Sequence, residues 1–176
     1  MNIILFGFKN CGKTTLGKLL ATKLNLDFID TDDLLAKRYQ EKYKESLSTQ
    51  QIYKILGEIK FRDLEKEVIN PLAHVENTVI ATGGGSVMDK ESTKILKNIG
   101  KMVYLKAPKQ LMKERIFAGK LPAFLDAKDK AASFEKIYAN RETVYDTIAE
   151  IVVEIIAKTN EEIIQEIKSK VDKHGN

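Results

Sequence analysis

The stretch GFKNCGKT, residues 7–14, decides the fold of this chain. An apolar segment precedes it at residues 3–6, and a segment with apolar residues at helical spacing follows it. This order of strand, glycine-containing loop and helix is typical of a phosphate-binding loop with the pattern G-x-x-x-x-G-K-T. The glycines permit a tight turn that points several backbone N–H groups into one hollow, and the helix that follows presents its positive end there. The stretch therefore predicts a site for a phosphate group.

The residue types within this loop indicate separate roles. Lys13 has the reach to contact the β- and γ-phosphates of a nucleotide, and the hydroxyl of Thr14 is suited to bind Mg²⁺. The predicted nucleotide-binding set is Gly7, Asn10, Cys11, Gly12, Lys13, Thr14 and Thr15. Cys11 is the single cysteine, which excludes a disulfide within the chain and agrees with a reducing compartment.

Composition sets limits on the class of protein. With 176 residues, 43% of them hydrophobic and 31% charged, the chain is suited to one globular domain, residues 1–176. The net charge of +4 comes from Lys and Arg interspersed with Asp and Glu, and Trp is absent, so we expect no nucleic-acid partner. No apolar run reaches 18 residues and no signal peptide is recognisable, so we expect a cytoplasmic protein without a membrane partner. We also expect a monomer, although no pattern in the sequence sets the oligomeric state.

Five strand-like segments alternate with helical ones along the whole chain. The strands are predicted at residues 3–6, 27–30, 78–82, 101–105 and 151–155. Such alternation implies right-handed βαβ units, and hence an α/β fold of three layers: a five-stranded parallel sheet flanked by helices, as in P-loop kinases. The loops after residues 6, 29, 82 and 105 are then expected to converge on one cleft at the carboxyl ends of the strands.

Helix boundaries are marked by local signals. Asn25 is a plausible end for a helix over residues 13–24, and Ser48 with Gln51 has the pattern of a capping box. Further helices are predicted at residues 33–42, 58–70 after an interruption at Gly57, 90–99, 109–117, 133–148 and 160–171. Residues 118–129 have weak periodicity and are predicted to be a loop.

An acidic cluster ends the second predicted strand. Asp30 and Asp32 are two residues apart, so on an extended segment their side chains share a face. One carboxylate would then lie near a magnesium ion and the other near an attacking hydroxyl. Ordinary capping of the next helix is the alternative.

Glycine and arginine residues complete the predicted site. Gly83, Gly84 and Gly85 follow a buried strand, where backbone without side chains can approach a ligand closely. Arg62 and Arg141 lie on two predicted helices, and the guanidinium group is the natural partner of a carboxylate. An isolated Arg is more often a surface charge.

The chain resembles the shikimate kinase family. The resemblance rests on GFKNCGKT at residues 7–14, FIDTD at 28–32, GExxFR at 57–62, ATGGG at 81–85 and RxxxY at 141–145, in family order across about 140 residues. It implies ATP-dependent phosphorylation of the 3-hydroxyl of shikimate in aromatic amino-acid biosynthesis, with Mg²⁺ as cofactor and shikimate and ATP as small-molecule partners.

The resemblance also implies roles for individual residues. Lys13 and Thr14 would serve ATP and Mg²⁺, and Asp30 would assist the metal through water. Asp32 would bind the hydroxyls of shikimate and poise the acceptor oxygen. The substrate-binding set is Asp32, Arg62, Gly83, Gly84, Gly85 and Arg141. By family order, residues 31–70 hold the acceptor and residues 113–130 form a lid.

The lid is where the sequence departs from the family. The family usually has an Arg directly before a Pro in the lid, whereas this chain has Leu121 before Pro122. Lys120 stands one residue away, and Arg115 resembles another lid Arg. We hypothesise that Lys120 and Arg115 share the catalytic role of the usual Arg, although an ammonium group lacks the planar fork of a guanidinium.

Two other interpretations remain open from sequence. One is a P-loop kinase for another small hydroxy acid such as gluconate, against which the two Asp and two Arg residues argue. The other is a nucleotide-binding module with a decayed lid, for which Leu121 is the only support.

Overall fold

The computed structural model describes residues 1–174, and β1 (Asn2–Phe6) lies at the centre of its sheet. The other strands are β2 (Asp27–Asp30), β3 (Thr78–Ala81), β4 (Gly100–Lys106) and β5 (Ile151–Glu154). Their order across the sheet is β2-β3-β1-β4-β5, and every neighbouring pair is parallel. The predicted five-stranded parallel sheet is confirmed, and the carboxyl ends of its strands meet at one edge.

Seven α-helices accompany these strands within residues 1–174. They are α1 (Lys13–Leu24), α2 (Thr31–Tyr43), α3 (Thr49–Ile69), α4 (Lys90–Ile99), α5 (Lys109–Ala118), α6 (Lys130–Ile148) and α7 (Asn160–His174). Short 3₁₀ turns cover Asn70–His74 and Ser86–Met88. None of these helices is both long and apolar enough to cross a lipid bilayer.

The main core lies around the sheet because helices cover both of its faces. Ile3, Ile4, Leu5 and Phe6 of β1 have no exposed surface, as expected of a central parallel strand. A second, smaller cluster joins α2 to α3. It consists of Leu35, Tyr39, Ile52, Phe61, Leu64 and Val68. This cluster fixes the position of the α2–α3 unit and therefore of the side chains that this unit contributes to the cleft.

Local signals placed most helix ends correctly. Asn25 ends α1 in the left-handed conformation, and Ser48 with Gln51 forms the predicted capping box at the start of α3. Gly57 has φ 72° and ψ 173° and kinks α3, so the predicted interruption is confirmed. A φ of this sign is readily available only to glycine.

Two helices begin earlier than predicted. α2 begins at Thr31, since the side chain of Asp30 caps it by accepting a hydrogen bond from the N–H of Asp32. Asp32 is therefore helical, and the premise that Asp30 and Asp32 share a face of an extended segment is wrong. α6 begins at Lys130, where the Asp129 side chain caps it.

Candidate active site

The phosphate-binding loop connects β1 to α1. Gly12 stands at the N-cap of α1 with φ 97°, which aims the first N–H groups of the helix into the loop. The Nζ of Lys13 donates hydrogen bonds to the carbonyl oxygens of Gly7 (3.0 Å) and Phe8 (2.8 Å). The Lys13 ammonium is thus held across the loop, next to the hollow where a phosphate would bind.

The end of β2 is joined to this loop by a side-chain contact. The hydroxyl of Thr14 donates a hydrogen bond of 2.7 Å to Oδ2 of Asp30. The other oxygen of Asp30 accepts the N–H of Asp32 at 2.9 Å. Asp30 therefore both caps α2 and faces the phosphate loop. Helix capping and a place near the phosphate site are thus compatible interpretations of this residue.

The donor set at Thr14 and Asp30 fits Mg²⁺. A hydroxyl and a carboxylate are hard oxygen ligands, and Mg²⁺ in kinase sites takes one or two protein oxygens while phosphates and water complete its shell. Within residues 1–174, no group of three or more His, Cys, Asp or Glu side chains could hold a metal ion. The fit is therefore to an ion held jointly with a nucleotide.

Asp32 lies in the first turn of α2 and is largely enclosed by the cleft. Burial raises the pKa of its carboxyl group to about 6, and the nearby charge of Asp30 adds to the rise. The positive charges of Lys13 and Lys9 act in the opposite direction. A carboxylate with a pKa near neutrality is suited to accept a proton from a hydroxyl group.

A buried ion pair borders Asp32. Arg62 Nη1 donates to Oε2 of Glu65, and Oε1 of Glu65 accepts the hydroxyl of Ser86 at 2.7 Å. Only 5% of Glu65 is exposed. Since both carboxylate oxygens of Glu65 are engaged, the Arg62 guanidinium is fixed towards the cleft. The attraction of Glu65 raises the pKa of Arg62, although burial alone would lower it.

The triple glycine passes through the middle of these groups. Gly83 donates its N–H to Oγ1 of Thr31 at 2.9 Å, and Gly84 accepts a hydrogen bond from the hydroxyl of Tyr145. A methyl group at Gly85 would overlap the Arg62 guanidinium. The backbone of this loop can therefore lie against Arg62 only because it carries no side chain.

Arg141 faces the same cleft from α6. It is only 6% exposed, and its guanidinium lies 4.5 Å from the ring centroid of Phe124. An Arg at this depth is not an ordinary surface charge. Both Arg62, which is partly buried, and Arg141, which is buried, line the cleft.

One cavity of about 370 Å³ joins these groups. Of the predicted residues, it is lined by Asn10, Gly12, Lys13, Thr14, Thr15, Asp30, Asp32, Arg62, Gly83, Gly84, Gly85 and Arg141. Gly7, Cys11, Arg115 and Lys120 are outside this lining. Gly7 and Cys11 are buried residues of the loop itself. Gly7 has no room for a side chain because the carbonyl of Leu105 lies against it.

In the lid, Arg115, Lys120 and Leu121 are not arranged as a simple replacement of the usual Arg. Arg115 Nη1 donates a hydrogen bond of 3.3 Å to the carbonyl of Asn10, so it lies against the phosphate loop. Lys120 is exposed and makes no ion pair or hydrogen bond with any of residues 1–174. The carbonyl of Leu121 accepts a hydrogen bond from Gln50, and its side chain packs against the main core.

Several lining residues were missed by the sequence interpretation. They are Lys9, Thr49, Gln50, Tyr53, Phe61, Glu65, Thr82, Pro122, Ala123 and Phe124. Glu65 had a usable signal, because it follows Arg62 by three residues and a helix places such residues side by side. Phe124 had none, since its contact with Arg141 joins the lid to another helix.

A parallel α/β sheet, a phosphate loop after its first strand and an anion-binding cavity opposite define a P-loop kinase for a small molecule. The family model described as shikimate kinase matches residues 9–172. A shikimate kinase of Alkaliphilus oremlandii is 39% identical over 168 residues, covering 94% of this chain and 96% of that protein. The chain therefore belongs to the shikimate kinase family.

Further relatives agree with this assignment. A shikimate kinase of Francisella tularensis subsp. holarctica is 38% identical over 169 residues, which cover 96% of this chain and 93% of the relative. The structure of shikimate kinase from Acinetobacter baumannii in complex with shikimate has a TM-score of 0.86 at 28% identity and covers 98% of this chain and 93% of that one. The structure of shikimate kinase from Aquifex aeolicus has a TM-score of 0.81 at 33% identity and covers 99% of this chain and 98% of that one.

Proposed function

We propose that the protein transfers the γ-phosphoryl group of ATP to the 3-hydroxyl of shikimate, giving shikimate 3-phosphate and ADP in aromatic amino-acid biosynthesis. The observation that carries this proposal is one cavity in which residues of the phosphate loop lie together with Asp32 and the two arginines, Arg62 and Arg141. Family membership names the substrate, and the cavity has the charges that an acid with several hydroxyl groups requires.

The reaction is a direct displacement at phosphorus. A lone pair of the acceptor oxygen forms the new O–P bond, and the bond between the γ-phosphorus and the bridging oxygen breaks with its electrons leaving on ADP. The hydroxyl proton passes to the carboxylate of Asp32, which is poised by its raised pKa. Most of the acceleration then comes from positioning and from charge stabilisation.

The carboxylate of shikimate is held by Arg62 and Arg141, and the backbone of Gly83, Gly84 and Gly85 lines the acceptor pocket. Glu65 positions Arg62 and does not itself need to touch the substrate. An Arg pair is suited to this task because each planar guanidinium can hold a carboxylate through two hydrogen bonds.

ATP is bound by the phosphate loop. Backbone N–H groups of Asn10 and Gly12, together with Lys13, Thr14 and Thr15, surround its phosphates, while the buried Gly7 and Cys11 shape the loop. Thr14 and Asp30 are the residues that would hold Mg²⁺, Asp30 through water. When bound, the ion neutralises negative charge on the phosphates.

The lid completes the proposed site. Residues 113–130 would close over the phosphates, and Arg115 and Lys120 would share the positive charge that Leu121 cannot provide. We include residues 31–70 as the acceptor-binding segment of one domain, residues 1–176. We also propose a cytoplasmic monomer, since one chain carries every group that the reaction requires.

A coupled assay of ADP release tests the function. We expect release that depends on shikimate and falls by at least about 1,000-fold in Asp32→Asn, since the proton acceptor is then lost. A panel of other hydroxy acids, including gluconate, runs in parallel. Equal rates with gluconate would contradict the assignment of shikimate as the substrate. Nucleotide binding without any acceptor-dependent turnover would favour a binding module.

A further inference from the structure

Lys9 is the third residue of the phosphate loop and one of the residues that line the cavity. It is half-buried, between the buried Phe8 and the exposed Asn10. The backbone nitrogen of Lys9 lies 3.5 Å from the position that a Cβ at Gly84 would occupy. The loop therefore reaches the triple glycine at Lys9, on the side of the cavity that faces the acceptor.

Lys9 lines the same cavity as Lys13, Asp32 and Arg62. Burial and Asp30 raise the pKa of Asp32, and the positive charges of Lys13 and Lys9 offset this rise in part. The charged groups around Asp32 are Asp30, Lys13, Lys9 and Glu65. Lys9 and Lys13 are thus the two cations that oppose three carboxylates at the point where phosphate and acceptor meet.

The ammonium group of Lys9 has no protein partner among residues 1–174. None of the ion pairs or side-chain hydrogen bonds of that part of the chain includes it. Lys13, in contrast, is held by two carbonyl oxygens of the loop. The ammonium group of Lys9 is therefore available to an anionic ligand that enters the cavity.

We propose that Lys9 is a catalytic residue that contacts the phosphoryl group as it passes from the nucleotide to the acceptor. This inference rests on the proposed function. During transfer, negative charge is spread over three oxygens of the phosphoryl group, and a cation that meets them there stabilises the transition state. No bond to Lys9 forms or breaks.

The proposed role of Lys9 is important because the lid has Leu121 at the position where an arginine would carry a positive charge. The Leu121 side chain packs against the core and brings no charge to the cavity from the lid. Lys120 is directed into solvent, and Arg115 lies against the outer side of the loop at Asn10. Lys9 is therefore placed to add a positive charge from the phosphate loop to the one that Arg115 and Lys120 would bring with the lid.

Lys9→Met tests the proposal, because methionine has a similar length and no charge. We expect the turnover number to fall about 100-fold, with the KM for shikimate and the Kd for ADP changed by less than about threefold. Lys9→Arg keeps the charge and should retain at least about a fifth of the turnover number. Lys168→Met, at an exposed position on α7, is the matched control.

A second measurement separates charge from loop structure. Aluminium fluoride mimics the phosphoryl group in transit, so wild-type protein should bind ADP tightly in the presence of shikimate and aluminium fluoride. Lys9→Met should lose this tightening while binding ADP alone as before. Thermal unfolding verifies that each variant is folded.

The outcomes separate the role of Lys9 from the proposed function of the protein. Shikimate-dependent activity in the wild type with an unchanged turnover number in Lys9→Met overturns the role of Lys9 and leaves the proposed function intact. Equal losses in Lys9→Met and Lys9→Arg also overturn it, since charge is then not what matters. A wild-type protein without shikimate-dependent ADP release overturns both.

Discussion

The hydroxyl of Thr14 and the carboxylate of Asp30 are joined by a hydrogen bond of 2.7 Å that connects the phosphate loop to the end of β2. These residues are 16 positions apart, and the parallel sheet brings them together because it gathers the carboxyl ends of its strands. The pair is the proposed binding point for Mg²⁺.

Thr14→Val removes a proposed metal ligand without changing the shape of the side chain. We expect the Mg²⁺ concentration for half-maximal rate to rise by about 10- to 100-fold, because the ion loses one of its few protein oxygens. A magnesium titration of ADP release measures this. Thr22→Val on the same helix is the control, since the Thr22 hydroxyl only bonds the carbonyl of Lys18. An unchanged titration in Thr14→Val would remove Thr14 from the metal site.

Asp32→Asn is expected to stabilise the protein while it abolishes turnover. The pKa of Asp32 in the folded state is raised to about 6, so the folded protein resists the ionised form. The resulting cost is absent at low pH and fully present above pH 6. Removing the charge should therefore raise the free energy of unfolding at pH 7 by roughly 1–3 kcal/mol and by less at pH 5.

Urea unfolding in EDTA at both pH values measures this effect without a bound metal ion. Asp33→Asn serves as control, because Asp33 is the exposed neighbour in the same turn of α2. A gain of equal size at pH 5 and pH 7 would contradict the assignment of the effect to the ionised carboxylate.

Glu65→Gln should weaken shikimate binding more than it slows chemistry. The substitution leaves Arg62 without its ion partner, so the guanidinium is no longer fixed towards the cleft. We expect the KM for shikimate to rise by about 10-fold or more, with a smaller change in the turnover number. Ser86→Ala removes only the 2.7 Å hydrogen bond to Glu65 and should have a milder effect. If the KM for shikimate stayed at the wild-type level in both Glu65→Gln and Ser86→Ala, the orientation of Arg62 would not depend on Glu65.

Arg115→Met and Lys120→Met divide the proposed lid function between its two members. Because Arg115 contacts the phosphate loop and Lys120 is exposed, we expect the larger loss of turnover number in Arg115→Met, about 10-fold or more. Steady-state kinetics with saturating shikimate provides the comparison. A larger loss in Lys120→Met would mean that the lid rearranges to bring Lys120 to the phosphates.

The sheet and the phosphate loop were predictable because their signals are local. Residues 7–14 specify a loop by themselves, and the periodicity around them fixes a strand and a helix. The convergence of the segments after β2 and β3, which carry Asp32 and Gly85, followed from the topology, since these segments must share one edge of the sheet.

Contacts between distant segments could not be read from the sequence in the same way. The starts of α2 and α6 were missed because each depends on an Asp side chain that already caps the helix at the end of the preceding segment. The partnership of Glu65 with Ser86 joins α3 to the turn after the triple glycine. The hydrogen bond between Arg115 and Asn10 spans 105 residues, and no periodic pattern encodes it.

The ring of Phe124 over the guanidinium of Arg141 has a consequence for selectivity. The ring covers one face of the guanidinium and leaves the N–H groups in its plane for an anion, but an inorganic anion has no apolar part to place against the ring. A carbocyclic acid brings a carboxylate for the guanidinium and a ring for the phenyl group. We therefore expect the contact between Phe124 and Arg141 to favour a carbocyclic acid over a phosphate or sulfate ion at this site.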